Sequence, residues 1–278
     1  MNNFESPKNI ENQESKEQYI SRIHLVFLRH EEKEKSKEDQ SDDEVRLTEK
    51  GRRSAAESSN LDSVSQAVAY GSPKKRAQET AGFRMSGNQA EITGEETLEE
   101  LKEKLDKDLK VGTKLGIDER LSFDIDFKSP YGSWLYKKFE NGEYIKALLL
   151  ESDKKAKELG DKEAETGSIY ASRLSEIILR YVKASDRWNE LVKENEDYEE
   201  TLTRIFGTHA GVNEAFLGKV IEETKEVEEL NKFIELIPNG FDYNEGFDLD
   251  IITTPENKKK IKISYEHKNE DGEVNFEF

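Results

Sequence analysis

Apolar residues in this chain fall into short, tight runs set between long stretches of charge, and two spacings recur. Leu25-Val26-Phe27-Leu28 is continuous, is led by His24 and is closed by Arg29 and His30. A run that short, apolar and ended by charge predicts a buried strand rather than a helix. Ala67-Val68-Ala69-Tyr70 and Leu202-Thr203-Arg204-Ile205-Phe206 predict two more strands. Between and after them the spacing lengthens to that of helices. Arg52 to Ser58 follows Thr48 as a candidate cap, and a helix starting at Gly71-Ser72-Pro73, with Ser72 as N-cap, runs through Arg76 and Thr80. Helical stretches follow over Leu98 to Leu109, Tyr144 to Leu159, Ser168 to Val182 and Asn213 to Val220. In the third, Ile169, Leu174, Ile177, Ile178 and Tyr181 form a burial face. Leu249 to Thr253 and Lys260 to Tyr265, on either side of Pro255-Glu256-Asn257, predict a polar hairpin.

Strands alternating with helices predict an α/β fold, a three-layer α/β/α arrangement on a mostly parallel sheet. The expected organisation is a disordered tail over 1–20 and one α/β domain over 21–278. That domain carries a helical insertion at about 98–167 and a C-terminal hairpin at about 247–278.

Composition narrows the function classes. The chain has 278 residues, 37% charged and 33% hydrophobic, and a formal net charge of −18. That charge repels nucleic acid and anionic membrane, so neither is expected as a partner. There is no cysteine, which removes disulfides and thiolate metal sites. The first twenty residues hold no apolar run of signal-peptide type, and no stretch reaches the length of a membrane span. A cytoplasmic protein is expected.

The chemistry gathers at strand ends. Arg29 and His30 end the first strand, Arg76 follows the second, and His209 follows the third within Gly207-Thr208-His209-Ala210-Gly211. Taken singly, His30 reads equally as a structural histidine and Arg29 as a surface ion-pair partner, Arg76 reads rather as a solvated charge, and the small residues around His209 favour function. Ligands of open α/β sheets bind beyond the carboxyl ends of the strands, so these positions converge on one crevice. Paired guanidinium forks there suit a phosphate, and the small residues around His209 let backbone approach it. His24 and His267 lack such settings and read as structural or surface residues.

Leu28-Arg29-His30, Leu47-Thr48-Glu49-Lys50-Gly51, Gly71-Ser72-Pro73-Lys74-Lys75-Arg76-Ala77-Gln78-Glu79-Thr80-Ala81 and Thr208-His209-Ala210-Gly211 together resemble the ordered motifs of the histidine phosphatase superfamily, with its phosphoglycerate mutase-like fold. The resemblance implies a phosphatase that hydrolyses phosphomonoesters through a phosphohistidine on His30. Arg29, Arg76, His209 and Ala210 would hold the phosphoryl group, with no metal and no cofactor required. His30 and His209 would face each other across a phosphate-sized space, with both arginine forks pointing in. Asp124 is the first candidate for the general acid, ahead of Glu119 and Asp126. The partner would be a phosphorylated small molecule or a phosphoprotein. The family usually has glycine after Arg-His, and here Glu31 stands there. That departure raises the alternative of a catalytically weak member serving as a phosphate-ligand sensor or protein-interaction module. Phe123, Phe127, Tyr131 and Trp134 either shape substrate entry or pack the insertion onto the sheet.

Overall fold

The computed structural model describes residues 19–59, 66–87, 91–107, 109, 112–269 and 272–277. Positions 1–18 of the expected tail lie outside the described residues. Tyr19 and Ile20, assigned to the tail from sequence, join the sheet instead: Ile20 N donates to Thr253 O at 2.9 Å, and the Tyr19 and Thr201 hydroxyls are 3.1 Å apart.

The fold is α/β. Seven described strands form one sheet: β1 (Ser21–Arg29), β2 (Val68–Gly71), β3 (Leu115–Ile117), β4 (Thr201–Thr208), β5 (Gly246–Thr253), β6 (Lys259–Asn269) and β7 (Gly272–Glu277), in the order β3-β2-β4-β1-β5-β6-β7. The four strands from β3 to β1 run parallel, and β5, β6 and β7 continue the sheet antiparallel. The predicted hairpin is β5 with β6, and β7 adds a strand the sequence pattern did not reveal.

Leu25 to Leu28 of β1 is continuously apolar because helices cover both faces of the strand there. Ile23, Leu25 and Phe27 belong to one core, and Val26 and Leu28 to another. Opposite pointing of successive side chains sends them there. On the first face Phe27 stacks between Phe206 at 4.6 Å and Phe247 at 4.8 Å. This face is covered by α7 (Gly167–Glu194), α8 (Val212–Thr224) and the insertion helices α4 (Pro130–Glu140), α5 (Tyr144–Leu150) and α6 (Ser152–Leu159). The second face takes α1 (Glu49–Glu57), α2 (Lys75–Ser86) and α3 (Leu98–Asp106). A last helix, α9 (Val227–Leu236), packs beside α8.

Several helix ends differ from expectation. Thr48 caps α1 as predicted, accepting from Gly51 N at 3.0 Å. Ser72 does not cap α2: that helix begins at Lys75 with Lys74 as N-cap, and Ser72 Oγ instead accepts from Lys74 N at 3.2 Å. Tyr144 to Leu159 is two helices, parted at Glu151, where ψ is −23° at φ −121°. α7 continues twelve residues past Val182 because Ser185, Trp188 and Asn189 keep its buried stripe going. No helix among the described residues is long and apolar enough to cross a membrane.

Candidate active site

The strand ends that carry the candidate residues lie side by side. Arg29 of β1 pairs with Thr208 of β4, and Gly207 of β4 with Gly71 of β2. The chain leaves all three strands at one edge, and it is tied there by His30 N donating to Thr208 O at 3.0 Å and Ser72 N donating to Gly207 O at 3.3 Å. The start of α2 presses directly on this edge. A Cβ on Gly71 would lie 2.4 Å from Gln78 N, and one on Gly207 would lie 2.0 Å from Ala77 O. Only glycine permits that approach, which carries Arg76 to His30.

His30, His209, Arg29, Arg76, Ala210 and Asp124, all singled out from sequence, line one cavity of about 720 Å³. His30 Nδ1 lies 2.8 Å from Glu31 O, a carbonyl that only accepts, so Nδ1 carries the proton and Nε2 carries a lone pair. Arg76 Nε donates to that Nε2 at 3.2 Å. Burial and then the Arg76 guanidinium push the His30 pKa down to about 3, so the imidazole is neutral at physiological pH. His209 is also held well below its ordinary value, by burial and then by His30 and Arg76. Its Nε2 shares a hydrogen bond of 2.7 Å with Ser72 Oγ.

Two details depart from expectation. The His30 and His209 rings meet edge-on, 5.2 Å apart and inclined at 66°. That contact leaves no room for a phosphoryl group between them, so one would have to lie over the pair, in the cavity. Arg29 is also less free than expected: its Nη1 donates to Phe241 O, and its guanidinium lies 4.8 Å from the Tyr243 ring. Its Nε is buried without a partner, a donor for which a phosphoryl oxygen is a suitable acceptor. The Phe241 loop that holds Arg29 is itself held by Glu214, whose carboxylate accepts from Phe241 N at 2.6 Å and Gly211 N at 2.8 Å.

Sequence reasoning missed two cations and one carboxylate in this cavity: Lys33, Lys74 and Asp42. Lys74 Nζ lies 2.8 Å from Asp42 and 3.2 Å from Asp124. Burial alone would lower its pKa, but Asp42 more than offsets this and the net shift is upward. The apparent surface cluster Lys74-Lys75-Arg76 thus sends its first and third members inward. Asp124 lines the cavity with a largely exposed side chain, and Asp126 lines it as well, while Glu119 does not.

Glu31 turns away from the phosphate side. Its carboxylate accepts from Ser54 Oγ and from Glu32 N, and its own N–H donates to Thr80 Oγ1 at 3.0 Å. It lines a different cavity of about 730 Å³, with Asp242, Glu245, Asp248 and Glu266. That cavity is slightly larger, but its acidic wall would repel a phosphate and it holds neither His30 nor His209. Phe123, Ile125, Phe127, Leu135, Tyr136 and Phe139 form an apolar wall of the first cavity. Of the four aromatics proposed from sequence, Phe123 and Phe127 reach it; Tyr131 and Trp134 pack in the insertion, 5.7 Å apart. His267 is buried rather than exposed, and its Nδ1 pairs with Glu245. Among the described residues no group of three or more His, Asp or Glu side chains is placed to hold a metal ion.

Residues 25–106, which contain Arg29, His30 and Arg76, match the family profile of the histidine phosphatase superfamily (branch 1). The match spans less than a third of the chain and makes that segment similar to the superfamily. His209 lies outside the matched stretch and comes beside His30 through the pairing of β1 with β4. Solved structures similar to the chain include "Mycobacterial hydrolase 2" (13% identity, 87% of this chain and 89% of that chain, TM-score 0.46). Others are a mycobacterial glucosyl-3-phosphoglycerate phosphatase (16%, 83% and 91%, 0.40) and Bacillus stearothermophilus YhfR (17%, 86% and 95%, 0.42). A search of curated proteins gives no match.

Proposed function

We propose that the chain is a phosphatase that hydrolyses a phosphomonoester through a phosphohistidine on His30. The observation that carries this reading is the His30 Nε2 lone pair, left on that nitrogen by the Nδ1 bond to Glu31 O, in a ring that burial and Arg76 keep neutral in the cavity. In the first step Nε2 forms a bond to phosphorus as the bond from phosphorus to the ester oxygen breaks, and the alcohol leaves with that electron pair and a proton. In the second step water attacks phosphorus, the N–P bond breaks, and inorganic phosphate and neutral His30 are regenerated. Charge on the transferring group is spread over its equatorial oxygens. Arg76, Arg29 and His209 are its donors, with Ala210 backbone beside them. With the Arg76 and Arg29 cations and the neutral His209 ring around the phosphoryl group, the reaction needs no metal, and activity is expected to survive a chelator.

Asp124 remains the first candidate for the general acid: in its protonated form, released from the Lys74 pair, it gives its proton to the leaving oxygen, and its carboxylate takes one back from the attacking water. The apolar wall favours a small phosphorylated molecule with an aromatic or branched apolar group over a phosphoprotein. The overall charge disfavours nucleic acid and anionic membrane as partners, and a cysteine-free chain suits the cytoplasm. The sensor alternative loses one of its motives, because the Glu31 carboxylate faces Ser54 and not the His30–His209 side. The test is hydrolysis of phenyl phosphate by wild type and His30→Ala, with and without chelator. Loss of at least about a thousandfold in the variant is expected, and equal rates overturn the reading.

A further inference from the structure

The cavity already contains an anion. Asp42 sits on the single turn Asp42–Glu44, in the charged loop between β1 and α1. Its Oδ2 lies 2.8 Å from Lys74 Nζ and 2.9 Å from Arg76 Nη2, and its Oδ1 is 3.5 Å from Lys33 Nζ. Its backbone carbonyl accepts from Arg76 Nη1 at 2.7 Å. Both terminal nitrogens of the Arg76 fork are therefore engaged by Asp42, and only Nε faces His30. Asp43 and Glu44 extend the same docking, at 3.5 Å from Lys74 and 2.6 Å from Lys75.

We infer that Asp42 is an internal competitor of the substrate's phosphoryl group, a carboxylate that occupies the Arg76–Lys74 anion position in the free protein and is displaced when phosphate enters. The inference rests on the phosphatase reading for its substrate, but the competition itself concerns any phosphate ion. Charge balance supports displacement. Arg29, Lys33, Lys74 and Arg76 line the cavity against Asp42, Asp124 and Asp126. A phosphoryl dianion added beside Asp42 leaves the wall with surplus negative charge, whereas one that replaces Asp42 leaves it balanced. The carboxylate is also built to be exchanged: its side chain is about half exposed (49%) on a short turn, while Lys74 and Arg76 are buried at 8% and 6%. Burial opposes its charge, yet the bonds from Arg76 and Lys74 hold its pKa well below the carboxylate range, so it stays an anion.

The experiment is calorimetric titration of inorganic phosphate into wild type, Asp42→Asn and Asp42→Ala, with KM and kcat for phenyl phosphate measured on the same preparations. Removing the competing charge is expected to tighten phosphate binding about tenfold and to lower KM in parallel, with kcat within about twofold of wild type. Glu44→Gln, whose carboxylate pairs with Lys75 outside the cavity lining and meets neither Lys74 nor Arg76, serves as the control for charge removal on the same turn and is expected to leave phosphate affinity unchanged. Unchanged or weaker binding in both Asp42 variants overturns the inference and assigns Asp42 to holding Arg76 in place. Tighter binding without any turnover by wild type upholds the competition and removes the phosphatase reading. Turnover with unmoved affinity does the reverse. Absence of phosphate binding in all proteins overturns both.

Discussion

Acidification offers a quantitative handle on the buried nucleophile. The His30 pKa lies at about 3 in the folded protein against an ordinary value of 6.5. Below 6.5 the unfolded chain therefore takes up a proton at this ring that the folded protein refuses until about 3. Stability from this group is fully present above pH 6.5 and falls as pH falls toward 3. Between about pH 7.5 and about pH 5 the linkage integral gives a loss of about 2 kcal/mol from His30 alone. The ring is 7% exposed, so solvent screening takes little from that figure. Other groups titrate across the same range, so the quantity to measure is the difference between wild type and His30→Asn in urea denaturation at each pH. The variant lacks the titrating ring, and the wild-type advantage over it should shrink by about 2 kcal/mol on acidification. Parallel pH dependence, within about 0.5 kcal/mol, would refute a buried neutral His30.

Three further perturbations address separate parts of the site. His209→Ala removes a donor to the transferring oxygens and is expected to lower kcat about 10²- to 10³-fold in a phenyl phosphate assay, with little change in melting temperature. Gly207→Ala sets a Cβ 2.0 Å from Ala77 O. It should destabilise the fold by about 1–3 kcal/mol in urea titration and weaken phosphate binding by moving α2. Phe127→Ala strips part of the apolar wall, so kcat/KM should fall about tenfold for an aryl phosphate and hardly at all for a methyl phosphate.

The parts of the fold that sequence disclosed are those where one signal dominates. β1 was visible because cores on both faces make its run continuously apolar, and the Arg29-His30 ending stood out against it. β3 has three residues, Leu115-Gly116-Ile117, too few to establish a period. The end of α7 was placed too early because its stripe passes through Ser185 and Asn189, which polarity assigns to the surface. The same ambiguity hid part of the site. Lys74 stands next to Lys75 in sequence, and nothing local says that one points into a cavity and the other toward Glu44. Asp42 lies in a run of charge where any carboxylate resembles its neighbours, and only the folded loop puts it on Arg76. Ser72 was assigned to the right place and the wrong task. Its oxygen accepts from Lys74 N and meets His209 because α2 starts two residues later than the Ser-Pro pair suggests.

The central claim is that His30 Nε2 becomes covalently bonded to phosphorus. It is tested most directly by rapid quenching of the protein with a ³²P-labelled aryl phosphate, followed by mapping of the label. The account predicts a burst of free phenol matched by one acid-labile, alkali-stable phosphoryl group per chain, located on His30 and absent in His30→Ala. Turnover without any labelled protein, or a label that persists in His30→Ala, would contradict it.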